Sequence, residues 1–206
     1  MSTIVFDFDG TLADSFLVML GIYNDLAKLK GFRQATEADW QKLRIGTIGS
    51  GLKWAGINPI QVPGLLTLGL RMVEKRTAEI KLFPEMVKLV DQLAAEGHQL
   101  FVLSTNSQAL IQEVLNKHGI GEQLDVLKSS RLFGKAQALR KLMRSHRLDP
   151  QSVWMIGDEV RDMRAAKRAG VQAAGVAWGF QPEATLVAVG DIHIVKQPKD
   201  ILKLVS

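Results

Sequence analysis

Asp7 and Asp9 lie at the end of an apolar run, residues 3–8, and stand two positions apart. In extended chain that spacing turns both carboxylates the same way and leaves Phe6 and Phe8 on the other side. A pair so placed can divide the labour, one carboxylate attacking or holding a metal while the other moves a proton. Other polar groups follow later apolar runs in the same manner. Thr105-Asn106 comes after residues 99–103, and Gly157-Asp158 after residues 153–156, with Asp162 one helical turn further on. Asp7, Asp9 and Asp158 gathered at buried strand ends would repel one another without a cation. An all-oxygen set of this kind suits Mg²⁺, which takes carboxylates, water and a substrate phosphate in octahedral geometry.

The elements that must position these groups are legible in the pattern. From Pro84 onward, helical periodicity alternates with short apolar runs. Helices are expected over 84–96, 107–118, 135–146 and 159–169, with a short one from Pro182 and another over 198–205. Strands are expected over 99–103, 125–127, 153–156, 173–176 and 192–195. Strands separated by helix-length segments imply right-handed crossovers and a mostly parallel sheet covered on both faces. Ligands of such sheets bind outside the carboxyl ends of the strands, where the acids lie. Residues 16–82 read differently, as helices and loops with no convincing strand. Phe16, Met19, Leu20, Tyr23 and Leu26 make one apolar helical face, Thr36 caps a second helix, and Pro63 opens a third. Gly46, Gly49, Gly51 and Gly56 are expected to break any regular element between the last two. The fold expected is therefore α/β, a Rossmann-like sheet flanked by helices over 1–15 and 83–206, with an all-helical cap over 16–82 inserted after the first strand.

Four stretches in order give a specific resemblance. DFDGTLADS at 7–15, Thr105-Asn106, Lys135 at the head of a helix and GDEVRD at 157–162 resemble the four motifs of the haloacid dehalogenase superfamily. Val176-Ala177-Trp178-Gly179-Phe180 supports its phosphoglycolate-phosphatase-like branch. The resemblance implies a Mg²⁺-dependent phosphatase acting on a small phosphomonoester. Asp7 would attack phosphorus to form an aspartyl-phosphate, and Asp9 would protonate the leaving alcohol and then activate water. Mg²⁺ would take the side chains of Asp7 and Asp158 and the backbone carbonyl of Asp9. Lys135 and the Thr105 hydroxyl would bind phosphate oxygens, aided by the N–H groups of Gly10 and Asn106, with Asp162 supporting Lys135 or the metal shell. Lys135 is followed by Ala136 where the branch often has proline, so Lys128 and Arg131 compete for its role.

The net charge of +5 sits in residues 16–82, which hold 10 Lys/Arg against 5 Asp/Glu, while the remainder is balanced. Such a segment either attracts an anionic ligand or is a solvated face. Substrate choice is expected around Arg44, Gly46, Lys53 and Trp54. Trp178 and Phe180 are read as structural, and His98, His118, His146 and His193 show no paired spacing. There is no cysteine, which excludes disulfides and thiolate chemistry. No dense basic run with interleaved aromatics points to nucleic acid, and no apolar run reaches the ~20 residues of a membrane span. The expected partner is a small phosphorylated metabolite and the expected location cytoplasmic, with monomer and homodimer both open. A phosphomutase, a phosphonatase using Lys53 for a Schiff base, and a catalytically silent binding protein are the alternatives. The second motif I aspartate, Asp9, argues against a dehalogenase.

Overall fold

The computed structural model describes residues 1–129 and 134–205. The chain divides into two compact units, residues 1–14 with 81–206 and residues 15–80.

The larger unit is built on strands β1 (Thr3–Phe6), β4 (Gln99–Ser104), β5 (Asp125–Lys128), β6 (Val153–Gly157), β7 (Gln172–Val176) and β8 (His193–Val195), once the two-residue pair β2 (Ala13–Asp14) and β3 (Lys81–Leu82) is set aside. The six form one sheet in the order β5-β4-β1-β6-β7-β8, and every pairing is parallel. The chain leaves β1 to build one side of the sheet and returns to build the other, so β1 is the point where strand order reverses. Register levels Phe6 with Val102 on one neighbour and Ile156 on the other. The residues that follow these three strands therefore emerge side by side.

The period-2 pleat sorts the core. Val5, Phe101 and Met155 lie abreast on one face and pack with Leu139, Leu142, Met143, Met163 and Ala166 from helices of that face. Ile4, Phe6, Leu100, Val102 and Ile156 fill the opposite face and are equally buried. Apolar side chains on both faces of a central strand are what a covered parallel sheet requires.

The smaller unit is helical: α1 (Phe16–Lys30), α2 (Glu37–Leu43), α3 (Ile48–Ala55) and α4 (Val62–Glu74). Thr36 caps α2 through a reciprocal box with Asp39. The glycine run does not break the chain as its composition suggested. Gly49 and Gly51 lie inside α3, because Thr47 and Ser50 close a second capping box and Gly56 ends the helix in the left-handed region at φ 72°. Two satisfied ends outweigh the cost of about 1 kcal/mol for each interior glycine. The other departure from expectation is β3, a strand of two residues at the end of the segment read as strand-free. It pairs antiparallel with β2 inside the larger unit.

Helices α5 (Met86–Ala95), α6 (Gln108–Lys117), α7 (Lys135–His146), α8 (Val160–Ala169), α9 (Glu183–Val187) and α10 (Leu202–Val205) complete the larger unit. No helix among the described residues is long and apolar enough to cross a membrane. Before α5, Glu85 occupies the left-handed region at φ 66°. A Cβ there costs roughly 1–2 kcal/mol, and glycine returns part of that as chain entropy in the unfolded state. Glu85→Gly is expected to raise stability by about 0.5–1 kcal/mol, read as a rise of about 2 °C in thermal denaturation. An unchanged or lower melting temperature would show the turn to be unstrained.

Candidate active site

Asp7 follows β1 and its N–H donates to the Ile156 carbonyl at 2.8 Å, so the sheet continues through it. Alternation then places its side chain with Val5, on the face covered by α7 and α8. Those two helices deliver its neighbours. Lys135 opens α7, and its Nζ lies 2.6 Å from Asp7 Oδ2 and 2.6 Å from Asp162 Oδ1. All three side chains are almost fully buried. Asp158, directly after β6, is the third acid. One carboxylate oxygen from each of Asp7, Asp158 and Asp162 falls within 4.8 Å of the others. The Phe8 N–H donates to Asp7 Oδ1 at 2.7 Å, leaving Oδ2 to face Lys135.

Asp9 is half-buried, and its Oδ2 accepts a hydrogen bond of 2.7 Å from Asn106 Nδ2. Thr105, half-buried at the end of β4, stands beside Asn106. The two N–H groups that the resemblance gives to phosphate are turned inward in this structure. Gly10, at φ 75°, donates to the Ala13 carbonyl at 2.9 Å as the loop folds back on itself, and the Asn106 N–H donates to Ser104 Oγ at 3.1 Å. Arg131 lies outside the described residues, as does the side chain of Lys128. In the helical unit Arg44 donates to Gln41 Oε1, Lys53 is exposed, and Trp54 lies under the Arg33 guanidinium at 4.4 Å.

Charge in this cluster is unevenly compensated. Burial raises the Asp7 carboxyl, but Lys135 and Arg161 outweigh it and hold the group below the ordinary carboxylate value. Burial likewise disfavours the Lys135 ammonium, which Asp162 and Asp7 more than restore. Asp162 is pushed up to about 7 by burial despite the pull of Lys135. Asp158 is driven well above the usual range by burial and by the charges of Glu159, Asp7 and Asp162. Asp7, Asp158, Asp162 and Glu159 face two cations, Lys135 and Arg161, which leaves a deficit of positive charge at Asp158, and the groups there able to ligate a metal are carboxylates. That arrangement fits a hard divalent cation.

Sequence reasoning passed over three contributors. Arg161 pairs with Glu159, and its field reaches all three acids of the cluster. The only signal for it was its place between Asp158 and Asp162 in GDEVRD. The Thr11 hydroxyl, at 3.1 Å, and the Phe180 N–H, at 2.7 Å, hold the two oxygens of Asp158. The glycine between two aromatics at 178–180 hinted at a close approach without saying to what. The histidines stand elsewhere: His98 accepts from the Ser2 N–H, and His146 and His193 pack edge-on against Phe101 and Trp154.

Comparison with known proteins identifies the family. A family model for haloacid dehalogenase-like hydrolases matches residues 4–176. The chain is 32% identical to a phosphoglycolate phosphatase of Synechococcus elongatus, over 100% of this chain and 98% of that protein. It is 28% identical to a 5'-nucleotidase of Pseudomonas aeruginosa, over 92% of this chain and 89% of the other. In structure it resembles a haloacid dehalogenase-like hydrolase from Streptococcus pneumoniae with a TM-score of 0.83, covering 100% of this chain and 99% of that one at 22% identity. A matching family model over most of the chain, a full-length relative and the shared fold lead to one conclusion: this chain belongs to the haloacid dehalogenase-like hydrolases, among their phosphoglycolate-phosphatase-like members.

Proposed function

We propose that this phosphoric monoester hydrolase cleaves a small phosphomonoester through an aspartyl-phosphate, with Asp7 as nucleophile. The observation that carries the reading is Asp7 itself, a buried carboxylate held ionised 2.6 Å from the Lys135 ammonium at the end of the central strand. An Asp7 oxygen attacks phosphorus, the bond from phosphorus to the leaving oxygen breaks, and the Asp9 carboxyl supplies the proton that oxygen needs. Asp9, oriented by Asn106, then takes a proton from water as that water attacks the phosphoryl group. Phosphate leaves and Asp7 is regenerated. Lys135 would meet a phosphate oxygen when substrate draws it from Asp7, and its charge would offset the charge dispersed in a loose transition state. Thr105 offers a hydroxyl to the same group.

A divalent cation, Mg²⁺ by its chemistry, would be held by the carboxylates of Asp7 and Asp158 with the Asp9 carbonyl, and would supply charge neutralisation between nucleophile and phosphate. Asp162 gives Lys135 a second carboxylate partner at 2.6 Å and so supports it beside Asp7. The helical unit, residues 15–80, serves in this reading as the cap that selects the alcohol portion of the substrate.

The test is a panel of phosphomonoesters ranked by kcat/KM, with phosphoglycolate and a nucleoside 5'-monophosphate included because relatives bear those names. Turnover that stops with EDTA and returns with Mg²⁺ is expected. A flat, slow profile across the panel would instead support a silent or mutase role.

A further inference from the structure

Residues 178–181, between β7 and α9, are tied down at several points that no catalytic step uses. Trp178 Nε1 donates to the Thr11 carbonyl at 3.1 Å, and its ring packs edge-on against Phe83 at 6.5 Å. Gln181 Oε1 accepts the Val160 N–H, in the first turn of α8, at 2.6 Å. Between these anchors the backbone presses on Asp158. A Cβ on Gly179 would lie 2.1 Å from Asp158 Cβ and 2.5 Å from the Gly10 carbonyl oxygen, and a Cβ on Gly10 would lie 2.2 Å from Asp158 Oδ2. Asp158 is thus wedged between two positions where no side chain fits.

We propose that residues 178–181 are a positioning clamp for Asp158, and that the affinity of the acid cluster for a divalent cation depends on them. The proposal rests on the reading of Asp158 as a metal ligand. A carboxylate offers about four lone-pair sites. The Phe180 N–H takes one on Oδ2 and the Thr11 hydroxyl takes one on Oδ1, which fixes the carboxylate plane and leaves a site on each oxygen for a cation. Thr11 is itself held through its carbonyl by Trp178, so both donors to Asp158 trace back to the same segment. Partners that orient a ligating carboxylate typically govern metal affinity by 10–100-fold. A segment that served only to hold the fold together would affect denaturation and leave the affinity of the folded molecule unchanged.

The experiment titrates EDTA-stripped protein with Mn²⁺, counting free ion by electron paramagnetic resonance, alongside thermal denaturation without metal. Gly179→Ala is expected to weaken Mn²⁺ binding by about 10–100-fold. Trp178→Phe keeps a ring and deletes the donor to Thr11, and a loss of about threefold is expected in a protein that melts near the parent. It decides the matter if Gly179→Ala fails to fold. Asp158→Asn should lose binding altogether. Parental Mn²⁺ affinity in folded Gly179→Ala, or in Trp178→Phe where the alanine variant does not fold, would overturn the clamp if Asp158→Asn has lost binding. Parental affinity in Asp158→Asn would overturn the metal reading itself.

Discussion

Asp7→Asn is expected to abolish turnover and to lower the stability of the metal-free protein. The first half follows from the proposed chemistry, because an amide cannot attack phosphorus and no other carboxylate stands where Asp7 does. Loss of an essential nucleophile costs at least about 10⁴-fold in kcat. The second half follows from the electrostatics. Lys135 and Arg161 hold the ionised Asp7 carboxyl below its ordinary value, so its charge contributes stability above that value, and the amide forgoes this contribution while relieving part of the repulsion on Asp158 and Asp162. The amide oxygen can still accept the Phe8 N–H, and Lys135 keeps Asp162 as its partner. Steady-state hydrolysis of a generic aryl phosphate and melting in EDTA check the two halves separately. Parental turnover in the variant would remove Asp7 as the nucleophile, and an unchanged or higher melting temperature would show that repulsion among the acids outweighs the pull of Lys135 and Arg161.

Lys135→Met is expected to damage both stability and activity, and stability more severely than Asp7→Asn does. Methionine roughly keeps the length of the stem and removes the ammonium, so packing is largely preserved and the effect is one of charge. Asp7 and Asp162 then face each other in a buried site without the cation 2.6 Å from each. Removing one partner of a buried charge pair costs about 3–5 kcal/mol, lessened here if the acids take up protons. Saturating Mg²⁺ should raise the melting temperature of this variant more than that of the parent, since the ion supplies charge that the side chain no longer does. In turnover, loss of a cation aimed at the transferring group is expected to cost about 10²–10³-fold in kcat/KM. An undiminished kcat/KM would assign the phosphate-binding cation to another residue, with Lys128 and Arg131 next to be tested.

The order of elements was readable because each boundary carries local chemistry. Lys135–His146 is helical over the predicted range, Gly170 ends α8 in the left-handed region, and Ser107 caps α6. These follow from periodicity and from residues that satisfy helix ends, both properties of a few neighbouring positions. Local reading failed at Gly49 and Gly51, where composition suggested a loop and the capping box of Thr47 with Ser50 closes a helix around them. The pairing of β2 with β3 was invisible for a related reason. Two residues are too short for an alternation signal, and the partner strands are more than sixty positions apart.

By itself the sequence determined the alternation of strands and helices, the helical stretch between the first strand and the rest, and the acids waiting at strand ends. These are periodic or adjacent features, and physical chemistry acts on them within a turn or a strand. Tertiary structure alone decided that Lys135 bridges Asp7 and Asp162, that Asp158 is gripped by Thr11 and Phe180, and that Asp7 falls in pKa while Asp158 rises. Each depends on burial and on charges brought from distant segments, and both are sums over neighbours in space that exist only once the parallel sheet has been assembled around β1.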